Sequence, residues 1–196
     1  MISLIFSDQN AKSGVTTLER RLRRYYMRTR DFKNGIPFSS HGFLKTFSFK
    51  MEIQTPDLSL FHHRSDLQLR FNDVDVLGHV NNTVYFSFYD TGKALYFSDV
   101  QGWPVDWRNV DRVIANVNCA YIAPIHFGDD MEVLTRCSSI GNKSFTLQQV
   151  LREKRSGQIK SVCQTVMVAI DPVTQRAVEL TPEIRKAFAD YEGHEF

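Results

Sequence analysis

Residues Arg70 to Asn82 read RFNDVDVLGHVNN and gather two carboxylates (Asp73, Asp75), one imidazole (His79) and two asparagines (Asn81, Asn82) in one short stretch. A carboxylate held opposite unpaired backbone amides can carry out acyl transfer. The amides polarise a carbonyl and hold its oxyanion, while the carboxylate attacks the carbon or activates water. The first turn of a helix supplies such amides, because its N–H groups have no partner within the helix. Asp75 stands seven positions before Asn82, near enough for a loop to return its side chain over a helix starting there. Thioesters suit this equipment best. A thiolate departs without a strong general acid, so the lack of a convincing Ser-His-Asp set does not count against the reaction.

Those residues need a strand behind them and a helix ahead. Leu67, Leu69 and Phe71 alternate with Gln68, Arg70 and Asn72, the period of a half-buried strand. Residues 83–100 have helical length with apolar side chains on almost every face, which predicts a helix buried all round. Asn81 or Asn82 can cap its start, and Gly102 and Pro104 end it. Strands are expected over 112–122, with Val113, Ala115, Val117, Cys119 and Tyr121 on one face, and over 130–139, 143–154 and 158–170, with a turn at Ser156-Gly157. Thr181-Pro182-Glu183 opens a final short helix. One strand, a helix and four further strands with short connections suit an α+β fold in which an antiparallel five-stranded meander wraps the helix. The exposed edges of such a sheet call for a second subunit, so a homodimer is expected.

The chain's 196 residues, 42% of them hydrophobic and 23% charged, allow one domain with a core and an extension. The net charge of +2 hides a division before Met51. Residues 1–50 carry 10 basic and 3 acidic side chains, net +7, and residues 51–196 carry 14 and 19, net −5. The basic part is expected to be a disordered tail, a targeting segment or sequence upstream of a start at Met51. Only LERRLRRYYMRTR would support nucleic-acid binding, and no nucleic-acid partner is expected. No run reaches the roughly 18 apolar residues of a membrane span, and MISLIFSDQN lacks the marks of a secretory signal. Three cysteines (Cys119, Cys137, Cys163) form no metal or disulfide pattern, so reduced thiols and a cytoplasmic setting are expected.

The motifs resemble those of a known family. RFNDVDVLGHVNN is similar to the N-terminal signature of the hot-dog-fold acyl-CoA thioesterases of the 4-hydroxybenzoyl-CoA thioesterase type, and Tyr121-Ile122-Ala123-Pro124 with Phe127-Gly128-Asp129 is similar to their mid-chain signature. The resemblance spans about residues 62–190. It implies a hot-dog fold, an acyl-CoA substrate, no cofactor, and a dimer or dimer of dimers with sites at the subunit interface. It further implies that Asp75 is the catalytic carboxylate and that the Asn82 amide helps bind the thioester oxygen. His79 would orient substrate or water, and Asp73 would be structural. Lys143-Ser144 would meet the coenzyme's phosphates and pantetheine, with Arg152, Lys154 and Arg155 adding charge. Val84, Tyr85 and Phe88 would line the acyl tunnel.

Each assignment has a structural alternative. Asp75 could serve an Asx turn, His79 could be a packed loop histidine, and Lys143-Ser144 could be a polar hairpin turn. Asp90 and Lys93 would pair at spacing three, the cysteines would act as small apolar residues, and His62-His63 lacks further metal ligands. At the level of function the alternatives are a non-catalytic acyl-CoA or acyl-chain binding module and an acyl-carrier-protein thioesterase. The core's net −5 gives little encouragement to an acidic carrier.

Overall fold

In the computed structural model, residues 55–102 and 110–196 are described. The boundary expected before Met51, the basic extension and Pro104 lie outside them. Five strands, β1 (His63–Leu67), β2 (Arg112–Tyr121), β3 (Met131–Ile140), β4 (Ser144–Glu153) and β5 (Ile159–Ala169), form one antiparallel sheet in the order β1-β3-β4-β5-β2. Helix α1 (Val84–Gln101) packs on one face, and α2 (Pro182–Glu192) closes the end where α1 finishes.

The fold class is as expected, and four local expectations are corrected. The first strand ends at Leu67, and Phe71–Asp73 form a 3-10 turn. The Asp73 carboxylate accepts the Arg70 N–H at 2.7 Å, and this local bond takes the backbone out of the extended path that the Leu67, Leu69, Phe71 alternation suggested. The sheet is no simple meander: only β3-β4-β5 run consecutively, and β2 crosses to the far edge beside β5. A bulge between Ile114 and Asn116 breaks the expected face of β2. Ile114 opposes Met167 and Val117 opposes Thr165, so Ile114 rather than Val113 shares a face with Val117, Cys119 and Tyr121. The helix is not buried all round. Tyr85, Phe88, Tyr89, Gly92, Lys93, Tyr96 and Phe97 are buried, but Phe86, Ser87, Asp90, Thr91, Leu95 and Asp99 are exposed.

The buried stripe recurs at three and four residues and matches the sheet closely. Gly92 lets α1 approach β3, where a Cβ would meet Val133 Cγ2 at 2.8 Å. Gln149 on β4 donates to the Tyr89 carbonyl at 2.9 Å and to Thr135 Oγ1 at 3.1 Å. One core cluster joins Tyr85, Phe88 and Tyr89 to Ile125, Met131, Val133 and Leu151 near the start of α1. A second joins Tyr96 and Phe97 to Phe145, Leu147 and Phe188 near its end. Burying each such side chain contributes about 1.5 to 3 kcal/mol. Gly102, with φ of 72°, ends α1, and Thr181 caps α2 by accepting the Ile184 N–H at 3.4 Å.

Candidate active site

The loop between β1 and α1 is held by its backbone. Val74 bridges Val80, the Asp75 N–H donates to His79 O at 2.9 Å, and Gly78, at φ of 80°, donates to Asp75 O at 3.0 Å. The left-handed turn at Gly78 is what a glycine permits at least cost. Asn81 N–H donates to Asp73 O at 2.8 Å, so the base of the loop is tied to the start of α1. Asp73 is 3% exposed, and its carboxylate serves Arg70 through the amide bond and a 3.3 Å contact to Nη2. Its role is structural.

Asp75 is partly exposed, and its Oδ1 accepts the Leu77 N–H at 2.8 Å. This is an Asx turn, the structural alternative for that residue, and it engages one oxygen. Among the described residues no protein donor meets Oδ2. The turn fixes the carboxyl group and leaves an oxygen available.

At the helix start neither expected asparagine is the cap: Thr83 is the N-cap residue and makes no side-chain capping bond, and Asn81 engages Thr83 itself. Asn81 Oδ1 accepts from Thr83 N–H at 2.9 Å and Thr83 Oγ1 at 2.7 Å. The Asn82 carbonyl accepts the Tyr121 hydroxyl at 3.1 Å, and among the described residues its N–H has no protein acceptor. No hydrogen bond joins Asp75 to Asn82.

The second signature segment meets the first. Val80 N–H donates to Ile125 O at 2.8 Å, the His79 and His126 rings lie edge to face at 5.4 Å, and Phe71 meets Phe127 in the same way at 6.1 Å. Tyr85 and Tyr121 pack at 5.0 Å, and burial is the main cause that pushes both phenols up to about 12, so both remain neutral donors. Lys160 fastens the second segment from below. Its Nζ lies 3.0 Å from Pro124 O and 3.3 Å from Asp129 Oδ2, and that carboxylate also accepts His126 N–H at 3.0 Å. His126 and Lys160 were missed in the sequence. His126 sits inside the mid-chain motif and could have been found there, whereas strand alternation gives Lys160 no distinction.

Tyr85 and Phe88 are core residues, 3% and 6% exposed, and Val84 packs against their cluster. Lys143 and Ser144 are not brought to the loop. Lys143 closes the β3–β4 turn and Ser144 opens β4, where Lys143 Nζ donates to Ala177 O at 3.1 Å and Ser144 O accepts Gly141 N–H at 2.7 Å. The register puts that turn beside Val168 and Ala169, while Tyr121 and the loop lie at the Ser161 end. Seven strand residues separate the two levels, about 23 Å at roughly 3.3 Å per residue. Arg152, Lys154 and Arg155 are offset by Glu132, Asp66 and Asp130. Asp90 and Lys93 pair at 2.7 Å as expected. His63 is buried against Tyr96 whereas His62 is exposed, so the two do not converge. Among the described residues no three His, Cys, Asp or Glu side chains cluster as a metal ion would need, and no helix is long and apolar enough to cross a membrane.

The family model of the thioesterase-like superfamily matches residues 69–188, which contain both signature segments. The chain belongs to the thioesterase-like superfamily. It is 29% identical over 125 residues to the long-chain acyl-CoA thioesterase FadM of Escherichia coli, covering 63% of this chain and 94% of that one. A thioesterase from Thermus thermophilus, solved with coenzyme A and zinc, matches with a TM-score of 0.62 and 28% identity over 69% of this chain and 98% of that one. A 1,4-dihydroxy-2-naphthoyl-CoA thioesterase from Synechocystis matches with a TM-score of 0.58 over 65% of this chain and 95% of that one. At 18% identity it supports the hot-dog fold alone. The family match is to the superfamily as a whole.

Proposed function

We propose that this thioesterase-like protein hydrolyses acyl-CoA thioesters, with Asp75 as the catalytic carboxylate and the Asn82 amide as an oxyanion donor. The observation that carries the reading is the half-engaged Asp75. One oxygen is fixed by the Leu77 amide and, among the described residues, the other meets no protein donor, in a loop tied at its base to the turn that carries the Asn82 N–H and leads into α1. The similarity to FadM and to the coenzyme-A-bound thioesterase supports the substrate class. Within the superfamily, the 4-hydroxybenzoyl-CoA type rests on the motifs alone.

In this reading the thioester oxygen accepts the Asn82 N–H, which stabilises the charge formed as the carbonyl carbon becomes tetrahedral. The Asp75 oxygen adds to that carbon, or it takes a proton from a water that adds. In both routes the tetrahedral centre collapses with loss of the coenzyme thiolate; attack by water gives the free acid at once, whereas attack by Asp75 leaves an acyl-aspartate anhydride that water then hydrolyses. Rapid-quench trapping of an acyl-enzyme separates the routes. His79, facing His126, would orient substrate or water, and Val84, Tyr85 and Phe88 would border the acyl group.

The assembled site would need two copies. β2 has an unpaired outer edge among the described residues, and Ile114 and Val117, 46% and 37% exposed, lie on its helix face. A second copy adding its β2 antiparallel would cover these residues, the usual remedy for an exposed edge. Such a two-fold reverses strand direction. The partner's Lys143-Ser144 turn, at the Arg112 end of its own sheet, would then stand at the same end as this chain's Asp75. In that arrangement the partner's Lys143-Ser144 would meet the coenzyme bound at this chain's site.

The test is a thiol-detection screen of the purified chain with acyl-CoAs of graded length and with an aryl-CoA. Thiol release above the uncatalysed rate is expected for at least one class. Measurable coenzyme A binding with no release across the panel would replace hydrolysis with a binding module.

A further inference from the structure

Cys119 on β2 and Cys163 on β5 are register partners, two free thiols directly opposite each other on neighbouring antiparallel strands. Their kind of pairing can be worked out from the ladder. Ile122 N–H donates to Lys160 O at 2.8 Å, which makes that opposed pair the hydrogen-bonded kind. The kinds alternate along an antiparallel ladder, so three residues away Cys119 and Cys163 form a non-hydrogen-bonded pair. In such a pair the Cα atoms stand about 4.5 Å apart with side chains close, inside the roughly 4.4 to 6.8 Å that a disulfide spans.

The surroundings favour reaction at one of the two sulfurs. Cys163 is 4% exposed in the core cluster, while Cys119 is only partly buried, on the edge strand. Ser161 Oγ lies 3.4 Å from Cys119 Sγ and 2.8 Å from Ala120 O, and it accepts the Tyr89 hydroxyl proton at 2.7 Å. With the Tyr89 hydroxyl donating to the Ser161 oxygen, the single Ser161 proton can turn from the carbonyl to a Cys119 thiolate. The polar hydrogens beside it, those of Cys163 first and then of Ser161 and the two tyrosines, hold Cys119 below the ordinary thiol value against the opposing effect of burial. Cys163, in turn, is pushed up by Cys119 beside it and by burial. Cys137 lies in the other core cluster, where burial pushes it up to about 12, so it serves as an internal control.

We propose that Cys119 and Cys163 are a redox-active pair, closed by a peroxide into a cross-strand disulfide beneath Tyr89 that switches the acyl end of the site off. The Cys119 thiolate attacks a peroxide oxygen, the O–O bond breaks, and the departing hydroxide takes up the thiol proton as water, leaving a sulfenic acid. The Cys163 sulfur then attacks the Cys119 sulfur. The S–O bond breaks, and the hydroxide leaves as water with the Cys163 proton. For hydrogen peroxide, two thiols and one oxidant become one disulfide and two waters. The bond pins edge strand β2 to β5 where both cysteines pack against Tyr85, Phe88 and Tyr89. The effect on turnover rests on the thioesterase reading; the disulfide chemistry does not.

The test treats the full chain with hydrogen peroxide, alkylates remaining thiols and maps peptides by mass. The expected product is a Cys119–Cys163 linked peptide, with Cys137 alkylated, in the wild type and in Cys137→Ser. It should be absent from Cys119→Ser and Cys163→Ser. Oxidation is expected to lower kcat/KM about tenfold or more, because small displacements of positioning groups are costly, and dithiothreitol is expected to restore it. Separate alkylation of both thiols in peroxide-treated wild type, or further oxidation of Cys119 beside a free Cys163, would overturn the pair. A quantitative disulfide with unchanged turnover would overturn the switch. An unoxidised chain that releases no thiol from any acyl-CoA would instead count against the thioesterase reading, while the peptide map still decides the pair.

Discussion

At the residue scale, the placement of the candidate residues was legible because they are contiguous: Asp75, Gly78, His79 and Asn82 occupy one loop and one helix start in both sequence and structure. What holds the loop was not legible, since Lys160 lies 35 residues beyond Ile125 and acts through Pro124 O and Asp129. Replacing Lys160 by Met leaves Asp129 facing a void charge position, and a loss of about 2 kcal/mol is expected from a broken charge-assisted bond. Chemical denaturation checks it, and Lys160→Arg should recover part of the loss. At Asp75 the observed turn and the proposed chemistry are separable. The Asx turn needs only an acceptor at Oδ1, which asparagine also has, whereas the proposed reaction needs the carboxylate. Asp75→Asn is therefore expected to keep the loop while removing the proposed chemistry.

At the element scale, the extent of α1 was evident from its apolar length, but its exposed face was not. Phe86 and Leu95 point outward and are as apolar as the buried stripe, so local sequence cannot tell a face buried by its own sheet from one open to another surface. The spatial order of the strands was hidden for a similar reason. Alternation identifies a strand but carries no record of its neighbour, and β2 pairs with β5 across 40 residues at Tyr121–Ser161 and 57 at Arg112–Ala169. The contact of α1 with β3 gives a sharper prediction. Gly92→Ala would put a Cβ 2.8 and 2.9 Å from the two Val133 methyls, and overpacking at a tight crossing costs about 1 to 3 kcal/mol. A lowered Tm is expected, partly recovered by Val133→Ala in the double variant.

At the scale of the whole molecule, the edge of β2 and the ends of the sheet govern assembly. Val117→Lys puts a charge on the face that a second copy would cover, and it is expected to shift the protein toward monomer in light scattering and to lower turnover together. A monomeric wild type with full turnover would refute the two-copy site. Stability should also respond to pH through His63, which is buried between Tyr96 and Asp99. Burial lowers its affinity for a proton, only partly offset by Asp99. The unfolded chain takes up that proton near the ordinary value of 6.5, so stability present above that value is lost as pH falls toward the lower folded value. Tm measured from about pH 7 to 5 should fall, and His63→Gln should flatten the slope.

The most direct measurement is kcat/KM for thiol release by Asp75→Asn beside the wild type, on the best acyl-CoA of the screen, with Tm and coenzyme A affinity recorded for both. The expected result is a fall of about a hundredfold or more with Tm and coenzyme A affinity unchanged. Turnover within a few-fold of wild type would contradict the assignment of the chemistry to Asp75.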